Sequence, residues 1–478
     1  MSEPPEGYLG AGARIGRGPA PELVEAGYHL ELADAPMLHR GFGLADLAHA
    51  IVLGERGAIP AADLRALLRA LLDLHEEDVA ADASYGDLAN LRERLLTQRI
   101  GSAAGWLNAG RPRREAGRIA FRLALRTRVL ELVDAVARFA DGLVALAARE
   151  RDTLFPDYTY AQVAQPTTTG HWSLSFAFPA LRDIERLRGD FAWVDRSPGG
   201  AGGVNGSRFP LDRARVAELL GFAEVVTHTR DAIWQTDGLS DLVSHAAISA
   251  TGASRFAEDL ELYSSAEFGL LRIGDELCRA SALMPQKRNP YALAVLRGGA
   301  GTLIGRATGV LATQRTPSGR TDNLLYAYGE VSGAVELAAR LLRLAAACAE
   351  SVAVDAVRAA ERVRDGLALA TDVAEAISLS SGRDYRSAYD EVGRAVAGGG
   401  LDAAALGVEE SVLDPAAALA ARTVPGGAEP EPMDAMLAEC RAAVAEARRW
   451  AEVTRAERGR AEDQLVELAR SGSRSSVS

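Results

Sequence analysis

The chain has 478 residues, a formal net charge of −12, and a composition that is 48% hydrophobic but only 6% aromatic. It is too long for one simple core, because domains usually contain about 100–200 residues, and no apolar run reaches the roughly 18–20 residues that span a bilayer. The acidic balance argues against nonspecific nucleic-acid binding, which depends on neutralising phosphates, so we expect a cytoplasmic protein of two or three domains.

Helical periodicity dominates the chain, and its apolar content is carried mostly by Ala and Leu, which favour helices. After an irregular, glycine-containing start, Ala61–His75 has leucines at helical spacing behind Pro60. Four longer helical stretches follow, at about residues 114–152, 231–270, 290–313 and 328–350. Long helices joined by Gly- and Pro-containing loops are typical of a bundle with an extended core, so the predicted class is all-α.

Loops and changes of helix length divide the chain. The informative loops are predicted at residues 155–170, 197–210, 272–289 and 314–323. From about residue 361 the predicted helices shorten, and residues 471–478 are small and polar, as in a disordered tail. We predict an N-terminal helical domain (1–112), a central long-helix bundle (113–360), a small helical domain (361–450), and a terminal helix with a disordered tail (451–478).

The loop Ser281–Pro290, with the sequence S-A-L-M-P-Q-K-R-N-P, is the most informative stretch. It offers a hydroxyl, an ammonium and a carboxamide where Pro285 limits helix formation. Composition alone favours a solvated surface loop. The whole string, however, closely resembles the G-S-S-x-M-P-x-K-x-N-P signature of the argininosuccinate lyase, fumarase and aspartase superfamily. Ala280 and Ala282 stand where that signature has its glycine and second serine.

Other regions carry the same resemblance, over roughly residues 40–430. Residues 110–113 resemble the family's G-R-S-R, residues 158–166 its Y-T-H-x-Q-x-A-Q-P, and residues 255–269 its R-x-A-E-D-L-x-x-W-S-S-x-E-F-G. The resemblance implies a three-domain subunit around a central bundle of long helices. It also implies a homotetramer whose active sites are shared between subunits.

The resemblance implies β-elimination from an aspartate-like substrate. The reaction removes a proton next to a carboxylate, so the enzyme must stabilise the doubly charged aci-carboxylate with preorganised donors and cations. Ser281 matches the family's proposed general base, and Lys287, Thr159 and Tyr160 are the other candidate catalytic residues. The candidates for substrate binding are Asn289, Arg113, Gln162, Arg111 and Arg320.

The family's histidine and its supporting glutamate are both absent. Tyr160 stands where the family has the histidine, and Ala294 where it has the glutamate. A phenol with a pKa near 10 does not simply replace an imidazole with a pKa near 6.5, although it can donate a hydrogen bond. A packing or binding role for Tyr160 is therefore as compatible with the sequence as a catalytic one.

The residues that hold the arginine half of argininosuccinate are mostly replaced. The family's serine and aspartate fall near Glu31 and Ala35, and its N-D pair is Arg114-Glu115. Arg114 and Arg320 would suit an additional anionic group, with solvent exposure as the alternative. We therefore predict a carbon–nitrogen lyase of secondary metabolism that releases fumarate from an N-substituted aspartate other than argininosuccinate.

Three alternatives stay open: an ordinary argininosuccinate lyase, a catalytically silent scaffold such as some lens crystallins of this family, and elimination of a leaving group that needs no acid. The three cysteines are far apart and the seven histidines lack metal-ligand spacing, so no metal is expected. The sequence has no phosphate-binding glycine motif, so no cofactor is expected either. The expected partners are a dicarboxylate substrate and further copies of the chain, with no membrane or nucleic acid.

Overall fold

The helical periodicity of the sequence becomes an almost entirely helical subunit in the computed structural model, which describes residues 18–80, 82–316, 319, 325–365 and 367–474. The predicted all-α class is confirmed. Among these residues, no helix combines the length and the hydropathy that a bilayer crossing requires.

The N-terminal region is a layer of helices with one core of its own. Its helices are α1 (Pro21–Leu23), α2 (His29–Ala33), α3 (Ala35–Glu55), α4 (Ala61–Glu76) and α5 (Leu88–Ile100). A π-helical turn links α1 to α2, and 3-10 turns flank α5 at Ala83–Tyr85 and Gly101–Asn108. Leucines on one face of α4, such as Leu67, Leu71 and Leu74, are completely buried against α3.

The central region contains the longest predicted stretches. Its helices are α6 (Arg113–Arg149), α7 (Thr169–Val194), α8 (Arg213–Leu219), α9 (Thr229–Trp234), α10 (Asp237–Tyr263), α11 (Tyr291–Thr313) and α12 (Leu325–Ser351). Helix α6 packs on α3, α7 and α12, and α10 packs on α7, α11 and α12, which closes a bundle. Small and branched side chains of α6, such as Ala140 and Leu143, are completely buried in the largest core cluster.

Short strands connect these helices. They are β1 (Leu154–Thr159), β2 (Gln162–Thr168), β3 (Arg196–Ser197), β4 (Glu224–Val225), β5 (Leu271–Arg272), β6 (Arg279–Ala280), β7 (Arg288–Asn289) and β8 (Ala353–Val354). They pair as β1–β2, β5–β8 and β6–β7, all antiparallel, and as the parallel pair β3–β4. The β1–β2 and β6–β7 pairs carry the candidate site residues.

The last region begins with short helices and ends with the longest helix. Its helices are α13 (Ala356–Asp365), α14 (Ala370–Ser381), α15 (Tyr385–Ala397), α16 (Ala403–Leu406), α17 (Pro415–Ala420) and α18 (Pro430–Arg474). Helices α14 and α15 share a small core of their own. Helix α18 returns to the bundle and packs on α3, α4, α6 and α7.

The structure corrects three details of the sequence interpretation. The predicted loop 155–170 is the β1–β2 hairpin, because its polar residues pair across two strands. The predicted helix 231–270 is interrupted at Gln235–Thr236, between α9 and α10. The predicted boundary at residue 450 falls inside α18, which buries residues at helical spacing on both sides of it and stays helical to Arg474. The division into domains otherwise stays a prediction.

Candidate active site

The signature loop forms a small, mostly exposed hairpin on β6 and β7. Ser281 Oγ accepts hydrogen bonds from the backbone N–H groups of Leu283 at 3.3 Å and Met284 at 3.0 Å. The Lys287 N–H donates to the Met284 carbonyl at 3.0 Å, so the loop folds back on itself while the Lys287 side chain stays exposed. Two amide donors at Oγ stabilise negative charge on that oxygen, which is the property a serine base requires.

The base of this loop is fixed by its flanking residues. Asn289 Nδ2 donates to the Arg279 carbonyl at 3.1 Å, across the β6–β7 pair. Arg288 Nε donates to Asp275 Oδ1 at 2.7 Å, which ties β7 to the preceding 3-10 turn. The loop therefore presents Ser281, Lys287 and one N–H of Asn289 on the same short segment.

Thr159, Tyr160 and Gln162 lie at the tip of the β1–β2 hairpin. Thr159 and Gln162 are register partners, and all three side chains are exposed, with Tyr160 fully so. Tyr160 and Ala161 both have positive φ, at 53° and 57°. The hairpin base packs in an aromatic cluster, in which the Tyr158 ring lies 5.6 Å from the Tyr263 ring. A rigid base thus holds an exposed polar tip away from the rest of the subunit.

A cleft opens beside the N-terminus of α6. Its charged and polar lining comprises Glu31, Asp34, Asp87, Arg113, Arg114 and Tyr328. Leu38 and Phe42 contribute apolar wall on the α3 side. The cleft therefore combines three carboxylates, two guanidinium groups and a phenol against apolar surface, as small-molecule sites commonly do.

Both arginines of the cleft are ion-paired. Arg113 Nη1 donates to Asp87 Oδ2 at 2.8 Å, and the other oxygen of Asp87 caps α5 by accepting the Asn90 N–H at 3.0 Å. Arg114 Nη1 lies 3.3 Å from Glu31 Oε2. Arg113 and Arg114 thus both lie at the cleft, and the charge of each is already met by a carboxylate.

Asp34 is the third carboxylate of the cleft. Burial raises its pKa to about 6, opposed by the backbone amide of Gly329 and reinforced by the nearby charges of Glu31 and Glu330. Sequence reasoning missed Asp34, because Asp-Ala-Pro at residues 34–36 reads as a helix boundary. It did single out the nearby positions 31 and 35, where the resemblance places the family's serine and aspartate.

The sequence predicts that Arg111 binds substrate, but Arg111 does not line this cleft. Its guanidinium is buried, with Nη2 2.6 Å from Asp46 Oδ1 and Nη1 donating to the Ala45 carbonyl at 3.0 Å. Arg92 completes this buried network by donating to the other oxygen of Asp46 at 2.9 Å. Arg111 therefore anchors the start of α6 to α3. Arg320 lies outside the described residues.

Glu115, the residue after Arg114, is buried and binds a glycine-rich loop. Its two carboxylate oxygens each accept one backbone N–H at 2.8 Å, from Gly200 and Gly202. Burial raises its pKa to about 7, against these two hydrogen bonds and the charge of Arg111. Glu115 thus positions the loop 199–206 under α6 and is itself inaccessible to substrate.

The candidate residues occupy three separate places on one subunit: the α6 cleft, the β1–β2 hairpin tip and the β6–β7 loop. Neither the tip nor the loop contributes to the described lining of the cleft. Within the described residues, no group of three or more His, Cys, Asp or Glu side chains is arranged to hold a metal ion. The hairpin tip and the signature loop of one chain therefore lie outside the described lining of its α6 cleft.

The chain resembles known lyases in sequence over most of its length. A family described as lyase matches residues 39–305. Argininosuccinate lyase of Methanoculleus marisnigri is 33% identical over 451 residues, covering 89% of this chain and 92% of that protein. Argininosuccinate lyase of Nocardia farcinica is 33% identical over 468 residues, covering 92% of this chain and 97% of that protein.

Solved structures share the fold at lower identity. EDDS lyase in complex with formate has a TM-score of 0.84 at 22% identity, covering 96% of this chain and 98% of that one. The 3-carboxy-cis,cis-muconate lactonizing enzyme from Pseudomonas putida has a TM-score of 0.64 at 22% identity, covering 92% of this chain and 99% of that one. At these identities the likeness establishes the architecture of long bundled helices.

Proposed function

This chain belongs to the argininosuccinate lyase family and is a carbon–nitrogen lyase, and on that premise we propose that it releases fumarate from an N-substituted aspartate whose leaving amine is not arginine. The main support for the proposal is the signature loop. There, Ser281 Oγ accepts hydrogen bonds from two backbone N–H groups, and Lys287 and Asn289 lie on the same loop. A scaffold without catalysis has no use for this arrangement.

Ser281 takes the proton from the carbon next to the substrate carboxylate. Lys287 and Asn289 hold that carboxylate while it becomes the aci-carboxylate, and Thr159, Tyr160 and Gln162 donate hydrogen bonds from the hairpin tip. Cation and donors fixed in advance lower the barrier, because they require no reorganisation as the charge develops. Collapse of the aci-carboxylate then breaks the carbon–nitrogen bond and leaves fumarate and an amine.

The change of leaving group is supported by the ion pairs in the cleft. Glu31 and Arg114 replace smaller neutral residues of the family pattern and lie 3.3 Å apart. Arg113 is likewise held by Asp87. Side chains of this size and charge in place of a serine and an asparagine change both the shape and the polarity of the pocket for the amine. Such a specialised lyase fits secondary metabolism.

The site is completed by assembly of a homotetramer. Helix α11 supports this: Gly298, Gly301, Gly305 and Gly309 have open space where a Cβ would stand. Each glycine in a helix interior costs about 1 kcal/mol relative to alanine, so four on an exposed helix call for a compensating contact. Glycines permit a second helix to approach closely, which another copy of α11 would do.

The test follows fumarate by its ultraviolet absorbance after the purified protein is mixed with argininosuccinate or with a panel of N-substituted aspartates. We expect fumarate from at least one panel member and little from argininosuccinate. Ser281→Ala and Lys287→Ala should abolish it, whereas Gln286→Ala, an exposed neighbour in the same loop, should not. Silence of the wild-type tetramer across the panel would contradict the proposal.

Ordinary argininosuccinate cleavage is the second candidate. It is favoured by the relatives named argininosuccinate lyase at 33% identity over nearly the whole chain. Efficient fumarate release from argininosuccinate, lost in Ser281→Ala, would select this candidate and show that Glu31 and Arg114 accommodate the arginine half.

A further inference from the structure

The proposed elimination needs a proton for the leaving nitrogen, and the family's histidine–glutamate pair is absent. Tyr160 and Ala294 occupy those positions. A nitrogen that is not already protonated in the bound substrate leaves poorly as its anion, so an acid must be present where the carbon–nitrogen bond breaks. The cleft beside α6 is the place to look, because it holds the residues that replace the family's contacts to the leaving group.

Asp34 lines this cleft. It lies between α2 and α3, and its carboxylate faces α12 across the Gly329 backbone, where an added Cβ would stand 2.8 Å from Asp34 Oδ1. Asp34 also lines a neighbouring cavity of about 640 Å³ between α2, α11 and α12. It is therefore reachable from two openings, although most of its surface is covered.

Asp34 differs from the other acids around it by its lack of a cation. Glu31 pairs with Arg114, Asp87 with Arg113, and in the neighbouring cavity Glu330 lies 3.7 Å from Arg306. Among the ion pairs of the described residues, none includes Asp34. Around it lie the Gly329 amide, the like charges of Glu31 and Glu330, and the Tyr328 phenol. The cations of the two cavities, Arg113, Arg114 and Arg306, are each paired with another carboxylate.

These surroundings favour the neutral carboxyl. Burial, reinforced by the charges of Glu31 and Glu330, raises the pKa of Asp34 to about 6. A general acid works best when its pKa is near the working pH, and a carboxyl becomes one when burial and like charges keep its proton. Burial also raises the pKa of Glu31, but the charge and the hydrogen bond of Arg114 oppose that shift. Asp34 has no such cation to oppose its own shift.

We propose that Asp34 is the general acid that protonates the leaving nitrogen, an assignment that rests on the proposed function. Ser281 removes the carbon-bound proton, and its electron pair forms the double bond of fumarate as the carbon–nitrogen bond breaks. The nitrogen keeps the electron pair of that bond and takes the Asp34 proton, which leaves a neutral amine and an Asp34 carboxylate. Solvent reprotonates Asp34 and takes the proton from Ser281. The substrate class is thus an N-substituted aspartate whose nitrogen is too weakly basic to be protonated near neutral pH, such as an N-aryl aspartate, because such a nitrogen needs a proton to leave.

The test compares Asp34→Asn with wild type on two leaving groups. On N-phenylaspartate we expect kcat to fall by about 10²–10⁴-fold, the usual contribution of general acid catalysis. On N-(4-nitrophenyl)aspartate, whose leaving group carries its own negative charge better, the loss should be far smaller. In wild type, kcat/KM on N-phenylaspartate should fall as pH rises through the Asp34 pKa, and this limb should be missing in Asp34→Asn.

Three variants separate this role from structural damage. Glu330→Gln removes a like charge near Asp34 and should keep the alkaline limb but move it to lower pH. Tyr160→Phe should keep the limb while weakening substrate binding, and Asp34→Glu should restore part of the activity on N-phenylaspartate. Equal losses on both leaving groups would overturn the assignment of Asp34 but not the proposed function. An alkaline limb that disappears in Tyr160→Phe would do the same. No fumarate from any substrate with wild type would overturn the proposed function and this assignment with it.

Discussion

Asp34 links stability to pH through its carboxyl group. Burial raises its pKa in the folded chain to about 6 from 3.8. Between these two values the folded state keeps a proton that the unfolded state has lost, so stability falls as pH rises. The stability that the protonated Asp34 carboxyl contributes is fully present below pH 3.8 and is lost above about pH 6. At neutral pH, folding must therefore bury a charge without a cationic partner.

Asp34→Asn should consequently stabilise the fold at pH 8 by about 1 kcal/mol, a figure discounted because the group is only partly buried. The gain should shrink at pH 5, where wild-type Asp34 is mostly protonated. Thermal unfolding at both pH values, at one protein concentration, measures the difference. The same gain at pH 5 and at pH 8 would contradict the assigned titration. A variant that gains stability while losing activity would mark the carboxyl as functional.

At the residue scale, the sequence predicts the groups that sit in a short motif and misses those created by packing. Ser281, Lys287 and Asn289 lie within nine residues, so their proximity is a property of the chain itself. Asp34 acquires its raised pKa from burial, reinforced by the charges of Glu31 and of Glu330, which lies nearly three hundred residues away. Arg111 carries a family motif arginine, but only the fold shows that Asp46 neutralises it.

At the element scale, the β1–β2 hairpin combines a strained turn with candidate site residues. Tyr160 and Ala161 adopt positive φ, which costs residues other than glycine about 1–2 kcal/mol each. Two-residue turns of this kind prefer Asn-Gly, which explains why Y-T-Y-A-Q gives no hairpin signal and predicts a loop instead. Strain of this size persists where the residue identity serves function, as proposed for Tyr160.

Ala161→Gly should relax this turn. Glycine adopts φ near 57° freely, so we expect a gain of about 1 kcal/mol in the free energy of unfolding. The matched variant Ala161→Val should lose stability, because a β-branched residue is disfavoured at positive φ. Urea unfolding of both variants checks the pair. A destabilised glycine variant would show that residue 161 does not hold positive φ in solution.

Helix lengths are predictable where periodicity is uninterrupted. Helices α6, α11 and α12 begin and end within a few residues of the predicted stretches. Helix α18 is divided in the prediction because its Ala, Glu and Arg content gives weak contrast between its faces. Which residues of α18 are buried, from Met433 through Val444 to Ala469, depends on the helices that it packs against. The sequence alone does not show which helices these are.

At the scale of the whole molecule, the exposed glycines of α11 predict an interface. Ile304 and Leu311, each about half exposed, flank them on the same helix. Gly305→Leu has open space within one subunit and should leave its fold intact while blocking close helix approach. Gly393→Leu on α15, also without neighbours, is the control. Light scattering should show smaller assemblies for Gly305→Leu only. An unchanged mass would place the subunit contact elsewhere.

The strongest consequence of the separated site parts is complementation between inactive variants. Thr159 and Ser281 lie on different elements of one chain, the β1–β2 hairpin and the β6–β7 loop, and in the proposed tetramer each active site takes them from different subunits. Thr159→Val and Ser281→Ala should each be inactive as homotetramers. In tetramers assembled at random from equal amounts of both variants, the chain that supplies Thr159 to a site carries it intact in about half of the cases. The same holds for the chain that supplies Ser281, so about a quarter of the sites should have both residues and recover activity.

The measurement is fumarate release after the two variants are unfolded together, mixed and refolded, with each variant refolded alone as the control. The double variant Thr159→Val/Ser281→Ala, refolded with an equal amount of wild type, supplies a second readout. About a quarter of its sites should be intact if two chains supply the residues, against about half if one chain supplies both. Recovery in the first mixture requires donors from two chains, because neither chain alone holds both residues. If the first mixture stays inactive while its tetramers assemble, Thr159 and Ser281 serve one site within one chain, and the shared-site architecture is wrong.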